Sequence, residues 1–132
     1  MAAATACALA GCGGEGDYAN KPRPATPINV TASITEDEIS VSPTEFGAGP
    51  VVLIVSNQTD ARHTVTLETE ELGGSQGGIR QSTRPIGPRG TGTLKANVRR
   101  GSYAISVGGG ISPASVRVGS PRRSAQDELL QP

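Results

Sequence analysis

The chain has 132 residues, with 12 lysines and arginines, 12 aspartates and glutamates, one histidine and a formal net charge of zero. That length suits one domain with a modest core, and the balanced charge gives no general attraction to nucleic acid. Glycine (18) and proline (10) are abundant, whereas the aromatic residues are only Tyr18, Phe46 and Tyr103. Helices are therefore disfavoured, and we expect a core built from valine, isoleucine, leucine and alanine.

The N-terminal segment has the pattern of a targeting signal. A short apolar run, Ala2 to Ala10, ends in the tetrapeptide Leu9-Ala10-Gly11-Cys12, which resembles the lipobox of bacterial lipoproteins. In that family the cysteine receives a diacylglycerol through its sulfur, and the preceding peptide is removed. The resemblance implies that residues 1–12 are a signal-peptide remnant, that Cys12 is the lipid attachment site, and that the protein lies on the extracytoplasmic face of the cell membrane.

Two features weaken this signal. The run is short, and no lysine or arginine precedes it, whereas a secretory signal has a charged start and about 7–15 apolar residues. We therefore expect further residues upstream of Met1. The alternative is an ordinary alanine- and glycine-rich N-terminus with an incidental cysteine.

Both cysteines of the chain, Cys7 and Cys12, lie in this segment. The folded domain is thus predicted to have no disulfide and no thiol for catalysis or metal binding. No run of 18 apolar residues occurs, so the mature chain is predicted not to span a membrane. Residues 13–27, rich in glycine and then in proline, are predicted to be a flexible linker.

From Ile28 onward, apolar and polar residues alternate in short segments, as expected of half-buried strands. The alternating positions are Ile28, Val30 and Ala32; Ile39 and Val41; His63, Val65 and Leu67; Leu94, Ala96 and Val98; Tyr103, Ile105 and Val107; and Val116 and Val118. Seven or eight strands separated by turn residues predict an antiparallel Greek-key β-sandwich over residues 28–119, followed by a C-terminal tail at 120–132.

Other segments add detail to this prediction. The apolar run Val51 to Val55 is expected to be a central strand buried on both faces. Gly47 to Pro50 and Gly87 to Gly90 are predicted turns, and Leu72 to Gly78 is a predicted glycine-rich loop. Ser82 to Ile86 contains a proline and is therefore predicted to be a short edge strand.

The order of several segments resembles the cupredoxin-like family over roughly residues 28–118. The segments are Ile39 to Pro43, Gly49 to Asn57, the following His63, Gly87 to Gly90, and Gly101 to Tyr103. In that family, a strand ending in asparagine leads to the first copper-ligating histidine, and a later Gly-x-Tyr strand leads towards the ligating cysteine. The resemblance implies a cupredoxin-like sandwich with His63 in the position of the first ligand.

The copper ligands themselves are mostly missing. A type 1 centre needs two histidines, a cysteine thiolate and a weak axial ligand, often methionine. Val107 stands where the resemblance expects the cysteine, and Gly108 to Pro113 replace the loop that would carry the second histidine and the methionine. The only methionine is Met1. We therefore expect no copper cofactor; His63 is a weak remnant candidate for a metal ligand, and the alternative is an imidazole hydrogen-bonded to the backbone.

No arrangement of residues typical of an enzyme is present. His63 has no Gly-x-Ser-x-Gly nucleophile elbow to accompany it, and the glycine-rich segment lacks the Gly-Lys-Ser/Thr ending of a phosphate loop. The sequence therefore predicts a non-enzymatic binding or accessory module with a lipid anchor, a possible protein partner and no nucleic-acid partner. One alternative is a copper-handling protein that uses His63 with carboxylates such as Asp60 or with a partner chain. Another is an immunoglobulin-like adhesion or structural sandwich.

Charge is unevenly distributed along the chain. Three basic and ten acidic residues occur up to Glu71, whereas nine basic and two acidic residues follow from Leu72. This asymmetry would produce a basic face towards anionic lipid if it survived folding. Because the two halves of the chain interleave in a sandwich, the asymmetry along the sequence need not produce a charged face in the folded domain. Arg80, Arg84 and Arg89 would meet an acidic partner if they lined one loop, and are otherwise solvated.

Overall fold

The computed structural model describes residues 23–70 and 78–124, and within them it contains eight strands and no helix. Cys12, most of the linker and the greater part of the glycine-rich loop and of the C-terminal tail lie outside these residues. The strands are β1 Ile28–Ile34, β2 Ile39–Ser42, β3 Glu45–Asn57, β4 Thr66–Thr69, β5 Arg80–Ser82, β6 Thr91–Val98, β7 Gly101–Ser106 and β8 Ala114–Pro121.

The strands form a sandwich in which β3 belongs to both layers. One layer has the order β2-β1-β3-β6, and the other has the order β3-β8-β7-β4-β5. The second half of β3 pairs with β1 and β6, whereas its first half, Glu45 to Ala48, pairs with β8. The predicted all-β sandwich is confirmed.

The sheets are mixed, which corrects the expectation of purely antiparallel pairing. β1 pairs with β3 in parallel, from Ile28 opposite Val51 to Ile34 opposite Asn57, and β3 pairs with β8 in parallel as well. The cause is that β2 returns along the outer edge of β1. The chain then crosses to the other side of β1 and enters β3 in the original direction.

The core lies between the two layers and consists of the inward-facing residues of each strand. Alternate burial is clearest in β6, where Leu94, Ala96 and Val98 are buried and their neighbours are not. The other buried apolar residues are Val30, Ala32, Ile34, Ile39, Ala48, Val51, Leu53, Val55, Val65, Leu67, Ile86, Tyr103, Ile105, Val116 and Val118. The prediction of a core of aliphatic residues with Tyr103 is confirmed.

The sequence predicts a turn at Gly47 to Pro50, but this segment is part of β3. The pairing of β3 with β8 shifts register between Gly47 and Ala48, and the side chain of Arg122 lies across this irregularity. A Cβ atom at Gly47 would lie 2.6 Å from Cγ of Arg122, and Gly49 has φ +138°. The glycines therefore allow β3 to change layers beneath an arginine, rather than to reverse direction.

Two further boundaries differ from the expectations. In the run Val51 to Val55, Val52 and Ile54 are only half-buried, so β3 is central but fully buried on one face only. β8 continues to Pro121, two residues past the predicted end of the sandwich at residue 119, because the backbone N–H of Arg122 still donates to the carbonyl of Ala48 at 2.9 Å.

Candidate functional site

Three strand ends meet at one end of the sandwich. β3 ends there at Asn57, and β7 ends there at Ser106, which pairs with Thr66 at the start of β4. His63 precedes β4 by three residues, and Val107 directly follows β7. The fold therefore brings the predicted ligand position, His63, to the same end as the position where the resemblance expects a cysteine.

Asn57 organises this end. Its side chain is 1% exposed, and its amide group donates to the carbonyls of Ala61 at 2.7 Å, Ile86 at 3.2 Å and Gly87 at 3.0 Å. Its Oδ1 accepts the backbone N–H and the hydroxyl of Thr59, at 3.0 and 2.8 Å. One buried asparagine thus fixes the loop after β3 to the loop before β6.

His63 is half-buried and is held by both its backbone and its ring. Its backbone N–H donates to the carbonyl of Ile86 at 3.0 Å and its carbonyl accepts from the Ile86 N–H at 2.7 Å. The ring Nε2 lies 2.9 Å from Oγ1 of Thr59. The hydroxyl of Thr59 has two other acceptors, Oδ1 of Asn57 at 2.8 Å and the carbonyl of Ala61 at 3.2 Å, so a ring that carries its proton on Nε2 satisfies the network. The lone pair of Nδ1 is then the remaining acceptor on the ring.

Among the described residues, no carboxylate forms an ion pair with this imidazole. Oδ1 of Asp60 lies 3.2 Å from Nη2 of Arg89, and both side chains are well exposed. Within residues 23–70 and 78–124, no group of three or more histidine, cysteine, aspartate or glutamate side chains is arranged to hold a metal ion.

The segment that follows β7 offers no metal-binding side chains. Val107 is half-buried, and Gly108, Gly109 and Gly110 have φ of 74°, 67° and 81°, a conformation that favours glycine. A thiolate, a second imidazole and a thioether are therefore all missing from the positions where a type 1 centre needs them. The residues present at this end do not fit such a centre.

Comparison with solved structures gives the same architecture. The chain is similar to auracyanin A, a "blue" copper protein from the green thermophilic photosynthetic bacterium Chloroflexus aurantiacus, with a TM-score of 0.54 and 14% identity over 71% of this chain and 100% of that one. The fold is cupredoxin-like. The immunoglobulin-like architecture considered from the sequence is thereby set aside.

Two other solved structures share the similarity at lower scores. Reduced auracyanin from the photosynthetic bacterium Roseiflexus castenholzii has a TM-score of 0.49 and 14% identity over 72% of this chain and 98% of that one. A multi-copper oxidase from Pediococcus acidilactici has a TM-score of 0.46 and 12% identity, over 74% of this chain and 27% of the oxidase. No protein-family profile and no curated protein sequence match the chain.

The arginines considered from the sequence as a binding group are dispersed in this cupredoxin-like fold. Arg80 lies 3.7 Å from Glu68, and Arg89 is paired with Asp60, so the arginines considered together do not line one loop as a free basic group. No helix in residues 23–70 and 78–124 is long and apolar enough to cross a bilayer.

Sequence reasoning missed a cluster of arginines at the opposite end of the sandwich. Arg23, Arg99, Arg100 and Arg122 line one open depression there. They are far apart in the sequence except for the Arg99-Arg100 pair. The excess of basic residues after Leu72 is a signal for Arg99, Arg100 and Arg122, whereas Arg23 lies outside that half of the chain.

Proposed function

We propose that this protein is a non-enzymatic, cupredoxin-like binding module, held on the extracytoplasmic face of a bacterial membrane by a lipid on Cys12, and that it has no type 1 copper centre. The observation that carries the proposal is Val107. It stands directly after β7, at the strand end that meets β4, where a blue-copper protein of this fold would need its thiolate.

The geometry of the His63 end supports a role in binding. The side chains of Asn57 and Thr59 take part in eight hydrogen bonds, counting that to the His63 ring, and these bonds hold residues 59–63 and 86–87 together on a rigid scaffold. Loops held in this way are the usual location of recognition surfaces. With its ring hydrogen-bonded to Thr59, His63 acts in the proposal as part of this scaffold.

The lipid anchor is tested by following acylation of the natural reading frame in a bacterial host with a clickable fatty acid. Cys12→Ser should abolish incorporation of the label and release the protein from the membrane fraction. Cys7→Ser, the matched control, should leave both unchanged because Cys7 would be removed with the signal peptide. Labelling that persists in Cys12→Ser would refute the anchor.

A copper-handling protein is the second candidate, and one observation favours it. Nε2 of His63 is hydrogen-bonded to Thr59, and none of the residues that the structure describes is hydrogen-bonded to Nδ1, which is the arrangement of a metal-ligating imidazole. Such a protein would take its other ligands from a partner chain, and its copper affinity would depend on His63.

A further inference from the structure

The end of the sandwich opposite His63 carries an open depression with a volume of about 480 Å³. Its cationic lining consists of Arg23 before β1, Arg99 and Arg100 between β6 and β7, and Arg122 after β8. We propose that this depression binds the anionic lipid headgroups of the membrane to which the domain is attached. The proposal rests on the membrane anchoring proposed above.

The depression is lined by positive charge. Among the residues that the structure describes, no aspartate or glutamate lines it. Within residues 23–70 and 78–124, the only ion pairs are Arg80 with Glu68 and Arg89 with Asp60, and both lie elsewhere. Arg23, Arg99 and Arg100 are exposed, so their guanidinium groups are accessible to a ligand. A surface with several cations and no anion attracts phosphate-bearing lipids.

The fold fixes the side chain of Arg122 and the backbone of Arg99. The guanidinium of Arg122 donates to the carbonyls of Gly47, Thr26 and Pro50, and therefore holds Thr26, which precedes β1, against β3. The hydroxyl of buried Tyr103 accepts from the backbone N–H of Arg99 and donates to its carbonyl, both at 2.9 Å. Preorganisation of this kind lowers the entropic cost of binding.

The position of the depression relative to the anchor identifies the membrane as the occupant. The chain enters the domain at this end, because Arg23 lines the depression and Ile28 begins β1 opposite Val51. Ten residues lie between Cys12 and Arg23, so the tether spans at most roughly 40 Å when fully extended. The arginines are thus held close to the bilayer, whereas His63 lies at the far end.

The depression also has apolar surface suited to a lipid. Between the arginines it is lined by Pro24, Ala25, Pro50, Val98 and Pro121. Guanidinium groups beside apolar surface accommodate a phosphate together with its glycerol backbone. A soluble phosphate would use only the cations.

The test uses the full chain with Cys12→Ser, so that no acyl group contributes to binding. Its binding is measured by co-sedimentation with vesicles of phosphatidylcholine alone, and with vesicles in which about a third of the lipid is phosphatidylglycerol. We expect binding to the anionic vesicles only, and loss of that binding at high salt.

The arginines are tested by replacing Arg23, Arg99 and Arg100 together with glutamine. Each arginine near an anionic surface contributes roughly fivefold, so partitioning should fall about a hundredfold. The control replaces Arg62, Arg84 and Arg117 with glutamine, since these residues are also exposed but lie outside the depression. This control should lose only a few-fold.

Four results would overturn the proposal. The first is equal loss in the two triple variants, and the second is no binding to anionic vesicles. The third is saturable binding of inorganic phosphate without binding to vesicles, which would assign the depression to a soluble anion. The fourth is vesicle binding that occurs only after Asp127→Asn and Glu128→Gln are introduced, which would assign the depression to the chain's own acidic C-terminus. Because the probe chain is not acylated, these results are independent of the Cys12 labelling experiment.

Discussion

Arg122 packs so closely on Gly47 that a Cβ atom at Gly47 would lie 2.6 Å from Cγ of the arginine and 2.8 Å from the carbonyl oxygen of Ser120. The carbonyl belongs to the backbone and cannot move aside. Gly47→Ala is therefore expected to lower the free energy of unfolding by about 1–3 kcal/mol, measured by urea denaturation. Gly119→Ala is the matched control, since its nearest atom would lie 4.0 Å away. Equal stability of the two variants would contradict this packing.

Arg122 stabilises the fold through its hydrogen bonds and not through its charge alone. A lysine at this position keeps the charge but cannot donate to the carbonyls of Gly47, Thr26 and Pro50 at once. Arg122→Lys should cost about 1–3 kcal/mol of unfolding free energy, whereas Arg123→Lys, at an exposed neighbour, should be near neutral. Full stability of Arg122→Lys would show that the three hydrogen bonds contribute little.

Asn57 is expected to be the most sensitive polar residue of the domain. Asn57→Ala removes a side chain that satisfies buried groups of Thr59 and the carbonyls of Ile86 and Gly87. We expect a loss of roughly 3–4 kcal/mol, or failure to fold at 37 °C. Asn97→Ala, at an exposed position of β6, should change the unfolding free energy by less than about 0.5 kcal/mol. A similarly small effect at Asn57 would be inconsistent with the network described here.

Tyr103 stabilises the turn between β6 and β7. Tyr103→Phe keeps the buried ring but leaves the backbone N–H and carbonyl of Arg99 without their partner. We predict a loss of about 1–2 kcal/mol in thermal or urea unfolding, together with faster amide hydrogen exchange at Arg99. Unchanged exchange at that amide would show that the hydroxyl does not hold the turn.

The sequence predicts the features that depend on neighbouring residues. The alternation in β1, β6 and β7 is local, and so is the turn at Gly87 to Gly90, where the N–H of Gly90 donates to the carbonyl of Gly87. His63 could likewise be placed between β3 and β4 from the order of segments, although it lies in an isolated bridge with Ile86 and not in the alternating strand expected with Val65 and Leu67, since β4 begins at Thr66.

Features that depend on distant residues could not be predicted. The segment around Gly47 has the composition of a turn, and it is a strand because it pairs with β8 and β6, which come much later in the chain, with Arg122 lying over it. The parallel pairing of β1 with β3 also depends on distant residues, since it is set by the path of β2. The arginine depression also combines residues from three parts of the chain. In each case the deciding contact is tertiary.

The central claim is that this cupredoxin-like module has no type 1 copper centre and that His63 serves the scaffold. The most direct test is a titration with Cu(I) and Cu(II) of the full chain carrying Cys7→Ser and Cys12→Ser, beside the same chain with His63→Ala. We predict that the two titrations coincide, with no stoichiometric binding in either. Tight one-to-one binding that is lost in His63→Ala would contradict the claim and identify a copper-handling protein.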